Sequence, residues 1–156
     1  MDIEKAALAI IAGNWEQSVP VDVYEIARKM KITIVEDPFL PVSGEFNLED
    51  KNKPIIKINT SENHLRQRFT MAHELGHFVL NHGSRFRDPV SNFFSDIPDE
   101  KEVQANRFAA ALLMPEPAIR FFIKNEKNPT TQKLAEYFKV SSTAMIYRLK
   151  NLGISQ

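Results

Sequence analysis

The spacing of apolar side chains divides the chain into a front part that mixes helices with strands, residues 1–80, and a back part that is helical. Residues 2–12 carry apolar side chains at helical spacing, and Gly13 with Asn14 is expected to end that helix. A second helical pattern follows Pro20, with its apolar side chains on one side. This mixture predicts an α+β fold.

Three short segments are predicted to form strands of a small, mostly antiparallel sheet. Residues 32–35 are all β-branched, which is typical of a strand. Residues 44–48 and 54–59 are two further strand candidates, and the charged run 49–53 between them suits a hairpin loop.

A long helix is predicted after the strands. Thr60 or Ser61 is expected to cap its start, and the pattern Asn81-x-Gly83 is expected to end it. Gly76 falls in the middle of this helix, where glycine costs about 1 kcal/mol relative to alanine. We therefore expect another segment of the chain to pack closely against the helix at that point.

The back part begins with a linker, residues 81–99, which is long for a compact domain and is either a cover over a cleft or a plain connection. Residues 100–128 are predicted to be helical. Residues 129–153 form a helical pair that resembles a helix-turn-helix, with Lys139 at the position that is usually a turn glycine. By length, residues 1–156 are expected to form one domain.

Composition excludes several classes of protein. The 20 basic and 20 acidic residues give a formal net charge of zero, so no global field attracts nucleic acid. Cysteine is absent, which excludes disulfides and thiolate metal ligands. No apolar run reaches the length of a membrane span, and the charges before the apolar stretch 6–12 do not suit a signal peptide. A cytoplasmic protein with no membrane partner is the simplest interpretation.

The pentapeptide His73-Glu74-Leu75-Gly76-His77 carries the most specific chemistry in the sequence. Two histidines four residues apart lie about one turn from each other on a helix, so both imidazoles can bind one metal ion. Glu74, beside the first of them, can act as a general base that takes a proton from metal-bound water. Because such a pentapeptide also occurs by chance, the residues downstream decide the interpretation.

A hydrolytic zinc site needs a third protein ligand and an open position for water. His82 is one candidate, but its spacing puts it off the helix face that carries His77 and does not match the three-histidine metzincin pattern. Glu102 is the better candidate, because Asn106 follows it one helical turn later and its amide could orient a histidine ligand from behind. Thermolysin-like, or gluzincin-like, zincins use the same logic.

With these motifs the chain resembles the ImmA/IrrE-type metallopeptidases, a family of zincins. The resemblance spans roughly residues 20–153, and it is carried by the segments 54–59, 68–77, 102–115 and 134–149. It implies a zincin-like fold and one Zn²⁺ per chain, with His73, His77 and Glu102 as ligands and Glu74 as the catalytic base.

The resemblance also implies a substrate class. The substrate would be a helix-turn-helix repressor of a mobile element or a stress-response operon, and cleavage at one bond would switch transcription on. One position departs from the family pattern: relatives often carry an acidic residue just before the Ala105-Asn106 pair, where this chain has Gln104. The departure removes a charge near the site and could change activity or substrate preference.

Attack of water on a peptide carbonyl creates an oxyanion that needs a donor beyond the metal. Tyr137, Tyr147, Arg148 and His82 are candidates, and the sequence does not choose among them. The strand predicted at 54–59 is expected to lie beside the cleft and to hold the substrate extended by strand addition.

Two other classes of function remain open from the sequence. The chain could be a zinc-containing regulator that binds DNA or protein without significant proteolysis, or a toxin–antitoxin or phage component that acts by binding a partner. The second helix of the final pair offers only Arg148 and Lys150 as basic groups, so nucleic acid is not the expected partner. A structural helix pair, or one that docks a substrate protein, is the preferred interpretation.

Overall fold

The computed structural model describes residues 2–14, 19–50, 52–83, 85–86 and 99–154. In this part of the chain the helices are α1 (Ile3–Asn14), α2 (Val23–Lys29), α3 (His64–Val79), α4 (Glu100–Leu113), α5 (Glu116–Asn125), α6 (Thr131–Phe138) and α7 (Ser142–Asn151). The strands are β1 (Thr33–Asp37), β2 (Gly44–Asn47), β3 (Ile55–Asn59) and β4 (Arg85–Phe86). The predicted α+β class is confirmed. None of the described helices is long and apolar enough to cross a membrane.

The strands form one mixed sheet in the order β1-β3-β2-β4. β3 runs parallel to β1, whereas β2 runs antiparallel to β3 and to β4, so two of the three pairings are antiparallel. The predicted hairpin of β2 and β3 is confirmed. β3 lies in the centre of the sheet with both edges paired, so the expectation that it holds a substrate by strand addition is wrong.

The short strand β4 was not predicted, since its two residues fall in the segment 81–99 that was assigned to a linker. Glu45 pairs with Phe86 and Phe46 pairs with Arg85, which extends the sheet beyond β2. Two residues leave no periodic pattern in a sequence. Residues 87–98, on which the idea of a cover over the cleft depended, lie outside the described residues.

Helix α3 begins later than predicted. Its N-cap is Asn63, whose side-chain oxygen accepts a hydrogen bond from the backbone N–H of Arg66 at 2.9 Å, so the assignment of the cap to Thr60 or Ser61 is wrong. Asn59 accepts hydrogen bonds from the backbone and the hydroxyl of Ser61, which makes this segment a turn between β3 and the helix. Asparagine supplies the same capping chemistry as serine or threonine.

The core lies between the sheet and the crossing of α3 with α4. Its largest fully buried side chains include Phe46 and Ile56 from the sheet, Leu75 from α3 and Phe108 from α4. A Cβ atom on Gly76 would lie 3.0 Å from the ring of Phe108 and 3.3 Å from the Cα of Ala105. The prediction that another segment packs closely against the helix at this glycine is therefore confirmed, and that segment is α4.

Two buried arginines attach the C-terminal helices to the rest of the molecule. The Arg68 guanidinium, on α3, donates hydrogen bonds to the carbonyl oxygens of Val21, Phe138 and Lys139. On α7, Arg148 donates to the carbonyl oxygen of Met114, and it also pairs with Glu4 of α1. Because backbone carbonyls and a carboxylate satisfy these guanidinium groups, both arginines serve to hold helices together.

Candidate metal centre

Three side chains converge where α3 crosses α4. His73 and His77 are buried and lie one turn apart on α3, and Glu102 is in the first turn of α4. One carboxylate oxygen of Glu102 lies 2.7 Å from Nε2 of His73, and the other lies 3.2 Å from Nε2 of His77. The two Nε2 atoms are 3.1 Å apart. Two imidazole nitrogens and a carboxylate form a donor set that a divalent metal ion such as zinc takes.

Asn106 lies behind the first histidine. Its side-chain oxygen is 2.8 Å from Nδ1 of His73, on the opposite side of the ring from the cluster. An amide oxygen only accepts hydrogen bonds, so Nδ1 carries the proton and Nε2 presents a lone pair to Glu102 and His77. A buried lone pair that faces another ring nitrogen and a carboxylate fits a bound cation. The donor atoms and the tautomer of His73 are therefore compatible with a bound metal ion.

The charge of the cluster is reflected in the ionisation of Glu102. Partial burial on its own would raise the pKa of this carboxyl group, but hydrogen bonds and charge from the protonated forms of His73 and His77, in which a proton on Nε2 stands where a metal cation would, outweigh that effect and hold the pKa well below its ordinary value. The carboxylate is therefore ionised at neutral pH, which is the form that binds a metal ion.

Glu74 is fully buried beside the first histidine, where the start of β2 packs onto α3. A Cβ atom on Gly44 would lie 3.2 Å from one carboxylate oxygen of Glu74 and 2.4 Å from Cγ2 of Thr70. Since real Cβ atoms essentially never approach a heavy atom within 3.0 Å, any other residue at position 44 would force Thr70 or the strand to shift. The first residue of the strand therefore fixes one wall of the space around the carboxylate.

Of the two candidates for a third ligand, Glu102 reaches the cluster of nitrogen atoms and His82 lies behind it. The Nδ1 atoms of His77 and His82 are 2.9 Å apart, on the side of the His77 ring away from Glu102. The other ring nitrogen of His82 lies 2.9 Å from the side-chain oxygen of Gln104. This contact with Gln104 cannot be predicted from the sequence, although a helix-ending asparagine just before His82 indicates that the chain turns back there.

The structure places the three remaining candidates for the oxyanion donor in different surroundings. Tyr137 packs against Phe122 of α5, with ring centroids 4.7 Å apart. Arg148 is bonded to Met114 and Glu4, which makes it a structural group. Tyr147 is 60% exposed, and it lines a groove of about 970 Å³ between α3, α4 and α7 that also reaches Asn106. The groove connects Tyr147 with the residue behind His73.

Comparison with known proteins gives matches of three kinds. Residues 27–150 match the family model Peptidase_M78, the IrrE N-terminal-like domain. Metallopeptidase ImmA of Bacillus subtilis is 30% identical to this chain over 132 residues, which are 85% of this chain and 77% of ImmA. The radiation response metalloprotease IrrE of Deinococcus radiodurans is 32% identical over 153 residues, 95% of this chain but 44% of that protein.

A solved structure provides the third kind of match. A Mycobacterium tuberculosis transcriptional regulator superposes with a TM-score of 0.66 over 96% of this chain and 46% of that chain. At 19% sequence identity, this similarity shows a shared fold and nothing more about function.

Proposed function

This chain belongs to the Peptidase_M78 family of IrrE N-terminal-like domains, and from that membership we propose that it is a zinc-dependent endopeptidase that cleaves a protein substrate at a specific bond. Family membership makes it a metallopeptidase; the identity of the metal, the substrate and the residue roles belong to the proposal. One observation supports the proposal most directly. His73, His77 and Glu102 direct two ring nitrogens and a carboxylate at one point, and Asn106 fixes the proton of His73 on the far side of the ring.

His73, His77 and Glu102 would hold one zinc ion, and Asn106 would orient the first histidine. When bound, zinc polarises a substrate carbonyl and makes water acidic enough to ionise near neutral pH. Glu74 accepts the proton of the attacking water and later passes it to the leaving amine, so the peptide bond breaks with one water consumed and no net proton transferred. Burial keeps Glu74 beside the reacting atoms and away from bulk solvent.

Tyr147 is the proposed donor to the oxyanion. Its ring lines the groove that reaches Asn106, the residue behind His73, and its hydroxyl can donate a hydrogen bond. A substrate segment that enters the groove would pass close to Tyr147. Replacement by phenylalanine tests this role, because it removes the hydroxyl and keeps the ring.

The proposed substrate is a helix-turn-helix repressor of a mobile element or a stress-response operon. The resemblance to the ImmA/IrrE-type peptidases supports this choice. The name of the Deinococcus relative links that protein to a radiation response, which is a stress response. A groove of about 970 Å³ reaches Asn106 behind His73 and is large enough to receive side chains of a bound protein, although the three ligand candidates and Glu74 do not line it.

The test combines metal analysis with cleavage. Purified protein should contain close to one zinc per chain by mass spectrometry, and Glu102→Ala should contain clearly less. The zinc-loaded protein is then incubated with a candidate helix-turn-helix repressor from the same genome, and the products are identified by mass spectrometry. We expect one cut, which Glu74→Gln abolishes while zinc stays bound. If the repressor is inactivated equally by Glu74→Gln, the chain acts as a binding regulator and the protease proposal is wrong.

A further inference from the structure

The second histidine of the cluster has a polar chain behind it that runs to α4. Nδ1 of His77 lies 2.9 Å from Nδ1 of His82, and Nε2 of His82 lies 2.9 Å from the side-chain oxygen of Gln104. We call these three residues the His77–His82–Gln104 chain. Both His82 and Gln104 are only partly exposed, so the contacts are shielded from bulk water.

The end of α3 places His82 beside His77. Asn81 adopts a left-handed conformation with φ of 61°, and its backbone N–H donates to the carbonyl oxygen of Phe78 at 3.1 Å. The backbone N–H of His82 then donates to the carbonyl oxygen of His77 at 2.9 Å. These two bonds form a Schellman motif, which folds the residue after the turn back over the last helical turn. The backbone thus fixes the distance between the two histidines.

Hydrogen-bond polarity selects one arrangement of protons along this chain. The side-chain oxygen of Gln104 only accepts, so Nε2 of His82 donates to it and, in a neutral ring, Nδ1 of His82 is left as an acceptor. Nδ1 of His77 must then donate, which leaves Nε2 of His77 with a free lone pair. That is the nitrogen that faces Glu102 and His73.

The geometry of α4 explains why the second histidine needs an intermediary. Successive residues of an α-helix are about 100° apart around the axis. Asn106 therefore lies within about 40° of Glu102 on the helix surface and contacts His73 directly, whereas Gln104 lies about 200° away from Glu102. His82 spans the gap between Gln104 and His77. One helix therefore supplies a ligand candidate and the acceptors that orient both histidines.

We propose that His82 and Gln104 are positioning residues for the metal, because they hold His77 in the tautomer whose Nε2 can bind it. This inference rests on the proposed metallopeptidase function. It also gives Gln104 a role, since its amide oxygen supplies the acceptor for Nε2 of His82. A glutamate at this position would supply an acceptor equally well and would keep the chain of hydrogen bonds intact.

The test measures zinc affinity by competition with a chromophoric chelator, on the full chain and without any substrate. We expect His82→Ala and Gln104→Leu to bind zinc about 10- to 100-fold more weakly than wild type. Gln104→Glu retains an acceptor and should stay within a few-fold of wild type. His64→Ala is the matched control, because His64 is exposed at the start of α3, outside the chain of hydrogen bonds.

A second readout separates positioning from a general loss of structure. The visible absorption spectrum of the cobalt-substituted protein reports the ligand geometry, and it should change in Gln104→Leu but not in Gln104→Glu. The melting temperature of the metal-free protein should be nearly the same in both. Equal zinc affinity in Gln104→Leu, Gln104→Glu and the His64→Ala control would overturn the inference alone. Wild-type protein that binds no zinc would overturn the proposed function, and the inference with it.

Discussion

The crossing of α3 with α4 and the attachment of α6 and α7 both bury polar side chains, but the two regions use them in opposite ways. At the crossing, the ring nitrogens of His73 and His77 face each other and the carboxylate of Glu102. At the attachment, Arg68 and Arg148 are bonded to backbone carbonyl oxygens, and Arg148 also to a carboxylate. A buried polar group that the main chain satisfies is structural, whereas ring nitrogens and a carboxylate that face one another are suited to binding a cation.

Because of this difference, metal binding should depend on the crossing, and the free energy of unfolding should depend on the attachment. The crossing should depend on metal and respond little to changes in the arginines, because its three candidate ligands come from α3 and α4 alone. The attachment should contribute to the free energy of unfolding with or without metal. Variants in one region should therefore leave the property of the other unchanged, and the four predictions below examine this separation.

The largest effect is expected from Glu102→Ala at the crossing. Removal of the carboxylate leaves two neutral ligands, and zinc affinity should fall more than the 10- to 100-fold that is typical for a residue behind a ligand. Saturating zinc should raise the melting temperature of wild type, since at 100 times the dissociation constant a ligand stabilises by about 2.7 kcal/mol. It should not raise that of the variant. Chelator competition measures the zinc affinity, and thermal unfolding measures the change in melting temperature. An equal zinc-induced shift of the melting temperature in the two proteins would contradict a role for Glu102.

The next largest effect is expected from Arg148→Leu at the attachment. The change leaves the buried carbonyl oxygen of Met114 without its donor, which costs about 1–3 kcal/mol. Loss of the pair with Glu4 adds little, because the Glu4 side chain is 44% exposed and remains solvated. Chemical denaturation should show a loss of about 2 kcal/mol, while the affinity for zinc is unchanged.

The matched control for that experiment is Arg120→Leu. Arg120 forms an exposed pair with Glu116 on α5, one turn apart, and its removal should change the free energy of unfolding by less than about 0.5 kcal/mol. Equal effects of the two substitutions would mean that Arg148 does not fasten α7. A clear loss of zinc affinity in Arg148→Leu would mean that the two regions are coupled.

The same contrast explains how much of the molecule could be predicted from its sequence. The cluster of His73, His77 and Glu102 could be predicted because a metal site demands particular residue types at helical spacing, and β2 and β3 could be predicted because each leaves a local pattern. The role of Arg148 was not accessible, since its partner Glu4 is 144 positions away in the chain. The contact of His82 with Gln104 also joins two elements that only the fold brings together. Residue types at a local spacing can be recognised in the sequence, whereas contacts between distant segments cannot.

A smaller effect is expected from Gly76→Ala at the crossing. Alanine gains about 1 kcal/mol in helix propensity, but the new Cβ would lie 3.0 Å from the Phe108 ring and 3.3 Å from the Cα of Ala105. Overpacking of this kind costs about 1–3 kcal/mol, so the net loss of stability should be about 1 kcal/mol. Zinc affinity should fall as well, because the two ligand helices must separate. Gly13→Ala is the control: nothing lies within 4 Å of its Cβ position, and it should be neutral or stabilising.

The smallest effect is expected from Lys139→Gly, between α6 and α7. Lys139 adopts a left-handed conformation, with φ of 52° and ψ of 56°, at the position where a glycine usually stands. A residue with a Cβ atom is strained there by about 1 kcal/mol or more, and glycine removes this strain while adding freedom to the unfolded chain. We expect a net gain of about 0.5 kcal/mol in the free energy of unfolding, measured by chemical denaturation, with zinc affinity unchanged. Lys139→Ala removes the charge but keeps the Cβ atom, so it should give no gain. If alanine stabilised the protein as much as glycine, the effect would come from the lost charge and not from the backbone, and the αL turn would not be a point of strain in the attachment.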